Sequence, residues 1–141
     1  MASKKITTIS PADNKPVVVR NEISKEELLK IPENAVEAFK SYKATQLAGR
    51  QEIIKRALQI MQQRKEQLSL ELTQQMGRPI AYAGVEIQTA IARAEYMLKV
   101  SNEALAESSG EPEKGFKRYI RKVPIGPVLI IFPWNVSVPL S

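Results

Sequence analysis

Trp134 and Asn135 are the residues best placed to do chemistry. They follow Val128–Phe132, five consecutive apolar residues of which four are β-branched or aromatic. Such a run predicts a strand buried on both faces, as in a parallel sheet. Pro133 ends it, because proline cannot donate to a ladder. Trp134 and Asn135 then sit just past the strand's carboxyl end, where open α/β sheets bind ligands. Taken singly, a tryptophan is more often core and an asparagine more often a cap. Other chemistry is sparse. With no cysteine and no histidine, a disulfide framework, thiol nucleophile, zinc finger or imidazole base has no residues to work with. Carboxylate, lysine, tyrosine and backbone groups remain, and the sequence draws no convergent set of them.

The elements ahead of the strand are legible from pattern. Ile6–Ser10 and Val17–Arg20 read as two short strands joined by turn residues Pro11, Asp13 and Asn14. Ser24 and Glu27 have capping-box spacing, so a helix follows with Leu28, Ala35, Ala38 and Phe39 inward. Pro32 predicts a kink or two pieces near Ile31. From Gln46 to Gln75, Leu47, Ile54, Leu58, Met61, Leu68 and Leu72 recur at helical spacing, predicting one long amphipathic helix. Gly77 suits its C-terminal cap, and Pro79 the first turn of the next helix. Ile80, Gly84, Ile87, Ile91, Ala94, Leu98, Ser101 and Leu105 alternate four and three apart. That seam fits a dimeric coiled coil or, with so short a connection, two antiparallel helices in one domain. Phe116–Val123 reads as a strand, and Pro124–Pro127 as a turn into the apolar run.

Composition bounds the class. The 141 residues are 43% hydrophobic and 26% charged, a globular balance. No run of 18 apolar residues is present, so no membrane partner is expected, and the N-terminus lacks a signal-peptide core. A cytoplasmic location is the default, with a weak organelle signal left open. The net charge of +6 invites a nucleic-acid reading, but the basic residues are scattered among acidic ones. The densest cluster, Lys114–Lys122, alternates like a half-exposed strand whose polar face is solvated.

The order of strand, Pro-Ile-Gly-Pro turn, apolar strand and Pro-Trp-Asn after two long helices resembles the N-terminal part of the NAD(P)-dependent aldehyde dehydrogenase superfamily, over roughly residues 6–135. Ile9-Ser-Pro-Ala12 looks like the family's opening segment. Ala38-Phe39 with Tyr42, Lys43 and Arg50 is similar to its next stretch, with Tyr for Trp. Met76-Gly-Arg-Pro79 looks like its helix boundary, with Arg78 in place of the usual Lys, and Glu86 matches its acidic position in the following helix. Val123-Pro-Ile-Gly126 through Pro133-Trp-Asn135 resembles the entry into the Rossmann-like domain.

The fold class this implies is α/β: a helical N-terminal portion with a short strand pair and the first strand of an incomplete Rossmann-like sheet. The division runs 1–23 as a strand-pair arm, 24–107 as a helical segment, 108–124 as a loop and strand like the family's oligomerisation sheet, and 125–141 as the truncated first Rossmann-like strand. The resemblance implies oxidation of an aldehyde through a cysteine thiohemiacetal, hydride passing to NAD or NADP. In it Asn135 belongs to the oxyanion hole, and Phe132, Pro133 and Trp134 line the nicotinamide side of the cofactor site. The nucleophile, base and phosphate-binding groups come later in family members, so this chain is expected to be inactive and to bind no cofactor well alone. Expected partners are an aldehyde substrate and, at full length, further copies of the same subunit, without nucleic acid. Two other classes stay open: a non-catalytic truncated isoform that pairs with full-length subunits, and a basic helical nucleic-acid binder. After Asn135 the chain departs from the family pattern. Val136-Ser137 can be encoded by GTA-AGT, so Val136–Ser141 reads as retained intron, with a cloning truncation or a real short isoform as the alternatives.

Overall fold

The N-terminal residues form a two-stranded antiparallel hairpin, β1 (Lys5–Ile9) against β2 (Pro16–Asn21), with an irregularity between Thr8 and Ile9. The computed structural model describes residues 4–133 and Asn135. The hairpin turn closes as its residue types demand. Ser10 N–H donates to the Lys15 carbonyl at 2.8 Å, Asn14 N–H to the Ser10 carbonyl at 2.9 Å, and Asn14 adopts φ 57°. Asparagine tolerates that left-handed conformation better than most residues.

Helix α1 spans Lys25–Tyr42 and opens on the expected capping box. Ser24 Oγ accepts from the Glu27 amide at 3.1 Å, and Glu27 Oε2 accepts from the Ser24 amide at 3.0 Å. The Ser24 hydroxyl, then its amide, hold the Glu27 carboxyl below its ordinary range. The sign follows: this cap supports the fold above the ordinary carboxylate pKa and is lost as pH falls through the depressed value. Pro32 does not split the helix. It forfeits one bond, to the carbonyl of Leu28, and Leu28 is exposed, so solvent satisfies that group. Leu28 is therefore not an inward residue; Ala35 and Phe39 are half-buried and Ala38 is exposed.

The single helix expected over 46–75 is two: α2 (Leu47–Gln63) and α3 (Lys65–Met76). Arg64 separates them with φ −97° and ψ 13°. The break costs few hydrogen bonds, since Arg64 N–H still reaches the Ile60 carbonyl at 3.0 Å and its own carbonyl still accepts from Leu68 N–H at 2.9 Å. No glycine or proline marks it. Both segments pack on the same partner, α4 (Ile80–Ala104), and that tertiary demand sets the bend.

The core is the meeting of these three helices. Leu58, Ile87 and Ile91 are buried, with Met61, Leu68, Ala94 and Leu98 packed against them. The α4 seam is thus used within one chain, as antiparallel helices. Gln51 Nε2 donates to Ser101 Oγ at 2.7 Å, tying the start of α2 to the end of α4. Gly77 caps α3 at φ 82°, and a Cβ there would lie 2.7 Å from Pro11 Cγ. Only glycine allows both that dihedral and that approach of the hairpin turn to the helix end.

Beyond α4 the sheet expectation narrows. β3 (Ser108–Ser109) pairs antiparallel with β4 (Tyr119–Ile120), and the rest of Phe116–Val123 is not strand. Phe116 and Ile120 are both exposed, so the alternation has no buried face to hold a longer ladder. Val128–Phe132 is unpaired: Leu129 is 85% and Ile131 84% exposed. A strand exists through its neighbours' hydrogen bonds, and the described residues place no neighbour beside this run. Trp134 and Val136–Ser141, with the readings that fall on them, lie outside the described residues. The mixed helix-and-strand architecture otherwise agrees with the N-terminal portion of the fold that the motifs implied.

Candidate functional site

Phe132, Pro133 and Asn135 stand exposed at the end of the unpaired apolar run. No other element closes over them among the described residues, so the sequence-nominated residues stand without surrounding walls there. Among the described residues no group of three or more carboxylates gathers as a metal site would require.

Two features that the motifs did not announce carry the electrostatics. The first is an ion pair between Arg78 Nε and Glu86 Oε2 at 2.6 Å. The Glu86 side chain is only 3% exposed and that of Arg78 is 32% exposed. Proximity is close, but the N–H does not point along a hydrogen bond, and both Glu86 oxygens are buried without another partner. The motif resemblance singles out each residue separately. Their pairing is across a helix junction, where no periodic spacing could reveal it.

The second is a groove of about 1150 Å³ between α2 and the C-terminal half of α4. Leu47, Ile54, Met61, Tyr96, Met97 and Leu98 are among its apolar lining, with Arg50 and Arg93 on its walls. Phe132, Pro133 and Asn135 do not line it.

The basic cluster is engaged internally. Arg118 pairs with Glu113 and lies 5.8 Å from the Phe116 ring centre; Arg121 pairs with Glu107 and lies 5.2 Å from the Tyr119 ring centre. The Glu107 contact raises the Arg121 pKa further. Lys122 Nζ donates to the Ala104 carbonyl at 2.5 Å. Arg118 thus braces the β3–β4 connection, while Arg121 and Lys122 tie the residues after β4 back to Glu107 and the end of α4. No described helix is long and apolar enough to cross a membrane.

Known proteins bear on the whole chain. Residues 1–141 match the model of the aldehyde dehydrogenase family. A 1-pyrroline-5-carboxylate dehydrogenase from Geobacillus thermodenitrificans is 32% identical over 141 residues, covering 96% of this chain and 26% of the relative. Indole-3-acetaldehyde dehydrogenase in its apo form superposes with a TM-score of 0.89 at 23% identity, over 97% of this chain and 32% of that one. An NADP-dependent glyceraldehyde-3-phosphate dehydrogenase from Bacillus halodurans, solved with NADP, superposes with a TM-score of 0.80 at 23% identity, over 97% of this chain and 30% of that one. The chain thus spans about a quarter of the length of the curated relatives it matches. On the match across residues 1–141, with the shared fold beside it, this chain belongs to the aldehyde dehydrogenase family.

Proposed function

We propose that this chain serves as the N-terminal portion of an enzyme that oxidises an aldehyde to a carboxylate with NAD(P)+. The observation that supports the reading most is the family match running through residues 1–141. The units are those drawn from the sequence: an arm at 1–23, helices at 24–107, a sheet-joining segment at 108–124 that would serve oligomer formation, and the Rossmann entry from 125. A cytoplasmic location accompanies this reading.

In the complete enzyme a cysteine thiolate adds to the aldehyde carbonyl, giving a thiohemiacetal whose oxygen carries the developing negative charge. The Asn135 side-chain N–H would donate to that oxygen. The bound NAD(P)+ supplies the hydride acceptor. Phe132 and Pro133, exposed and apolar, suit one face of a nicotinamide ring, and the motif resemblance gives Trp134 the same role. Residues for the ribose and phosphates belong to later parts of the fold. Water then releases the acid from the thioester.

The test is a chimera: the Geobacillus thermodenitrificans relative with its matching stretch replaced by residues 1–141. NAD(P)+-dependent oxidation of that relative's substrate is the expected result. A soluble, folded chimera without cofactor-dependent turnover would overturn the reading. The chain by itself is expected to show no aldehyde oxidation with either cofactor, because it contains no cysteine to form the covalent intermediate. Turnover above a buffer blank, surviving repurification, would contradict this.

A further inference from the structure

We propose that Ser109 is a phosphorylation site whose phosphate is received across the β3–β4 ladder by Lys117 and Arg121. This goes beyond the aldehyde-oxidation reading and does not depend on it.

The register places the acceptor. Ser109 is exposed and pairs with Tyr119. Gly110 N–H donates to the Arg118 carbonyl at 3.0 Å, so the pairing runs one step past the two-residue strands. Side chains alternate along a strand, so positions 117 and 121 share the face of Ser109 and Tyr119. As diagonal neighbours they stand roughly 7–8 Å from Ser109, within reach of long side chains. Two cations converge there. Lys117 Nζ lies 5.9 Å and Arg121 Cζ 5.2 Å from the Tyr119 ring centre. Ser108 pairs with Ile120 on the other face. The cations of that face are engaged, Arg118 with Glu113 and Lys122 with the Ala104 carbonyl.

The Ser109 face has cation capacity to spare. Arg121 has one carboxylate partner, Glu107. Among the described residues Lys117 makes no ion pair and has only the Tyr119 ring. A phosphoserine carries about −1.5 to −2 charge and three strong acceptor oxygens. It can therefore hold both cations, and it competes with Glu107 for Arg121. A connection held by a short ladder then gains two charge-assisted contacts from β3 to the residues flanking β4.

The segment also suits an enzyme that would modify it. A two-residue ladder opens at little cost, which presents Ser109 in extended chain. Glu107, Glu111 and Glu113 flank the serine and complement a serine kinase with a basic peptide groove. In the transfer, Ser109 Oγ attacks the γ-phosphorus of a nucleoside triphosphate. The Oγ–P bond forms as the bond to the bridging oxygen breaks. The hydroxyl proton passes to the kinase's base, and the nucleoside diphosphate leaves.

The test incubates the whole chain with MgATP and an acid-directed serine kinase, and maps phosphate by peptide mass spectrometry. Phosphate on Ser109 is expected, abolished in Ser109→Ala and retained in Ser108→Ala. The chain carrying phosphoserine at position 109 is then titrated by phosphorus NMR, folded and in urea. Its second ionisation, ordinarily near pH 6, should move down to about 5–5.5 in the folded chain, because neighbouring cations favour the dianion. Lys117→Met, which breaks no ion pair, should return it most of the way, and Arg121→Met likewise. Exchange of the Gly110 amide should slow by at least about fivefold on phosphorylation, as local opening becomes rarer. No transfer to Ser109, or transfer to Ser108 in its place, overturns the proposal. So does a phosphate that titrates alike in the folded and unfolded chain, or that ignores both substitutions. None of these readings involves turnover, so failure here leaves the aldehyde-oxidation reading standing, and failure of that reading leaves this one.

Discussion

Asn135→Ala in the active chimera is expected to lower kcat by about 10²–10³-fold, the usual consequence of removing one oxyanion donor. KM should change far less. In the proposed role the carboxamide would meet its full charge only once the thiolate has added, and so would contribute to the transition state more than to substrate binding. In terms of barrier this is roughly 3 kcal/mol. Asn135→Asp should fall at least as far, because a carboxylate repels the developing oxyanion. Steady-state kinetics of the three proteins, with circular dichroism to show that folding is unchanged, check the expectation. A loss confined to KM would move Asn135 from the oxyanion hole to ground-state binding. A loss under about threefold would remove it from the site.

Arg78→Met should destabilise the isolated chain by about 3 kcal/mol, at the lower end of the range for breaking a buried pair. Glu86 is the reason. Its side chain is 3% exposed and its oxygens have no other partner, so without Arg78 a carboxylate is left in apolar surroundings. The low end applies because the guanidinium is 32% exposed and water can enter where it leaves. The double variant Arg78→Met, Glu86→Leu should recover most of the loss, since two apolar side chains replace a pair whose desolvation offsets much of its attraction. Urea unfolding of the three proteins measures both effects. Near-additive losses in the double variant would show that the two residues act separately and that the ion pair does not hold the α3–α4 junction.

The position of this pair bears on the site. Gly77, Arg78 and Pro79 connect α3 to α4, and the hairpin turn at Pro11 lies against Gly77. The same short junction therefore orders the hairpin, both helices and, through α4, one wall of the groove. Arginine at position 78 presents a planar fork of donors that can reach a buried carboxylate, where lysine would present a single point charge.

Local chemistry by itself determined the start of α1 and the end of α3. Ser24 and Glu27 cap α1 because hydroxyl and carboxylate spacing matches the free amides of a first turn. Gly77 ends α3 because only glycine takes φ 82° against Pro11 without strain. The apolar period of Leu58, Met61, Leu68, Ile87 and Ile91 located the core face, since helical spacing alone puts them on one side. The ordered motifs carried the family. Tertiary structure decided the rest. Arg64 interrupts a segment that has no breaker in it because two shorter helices both lie along α4. Arg78 and Glu86 meet only once the junction folds, and Arg50 acquires its buried, unpaired Nε only when α2 and α4 form the groove. Val128–Phe132 reads as a buried strand because its composition is that of one, yet it stands exposed. Burial is a property of neighbours, and composition cannot supply them.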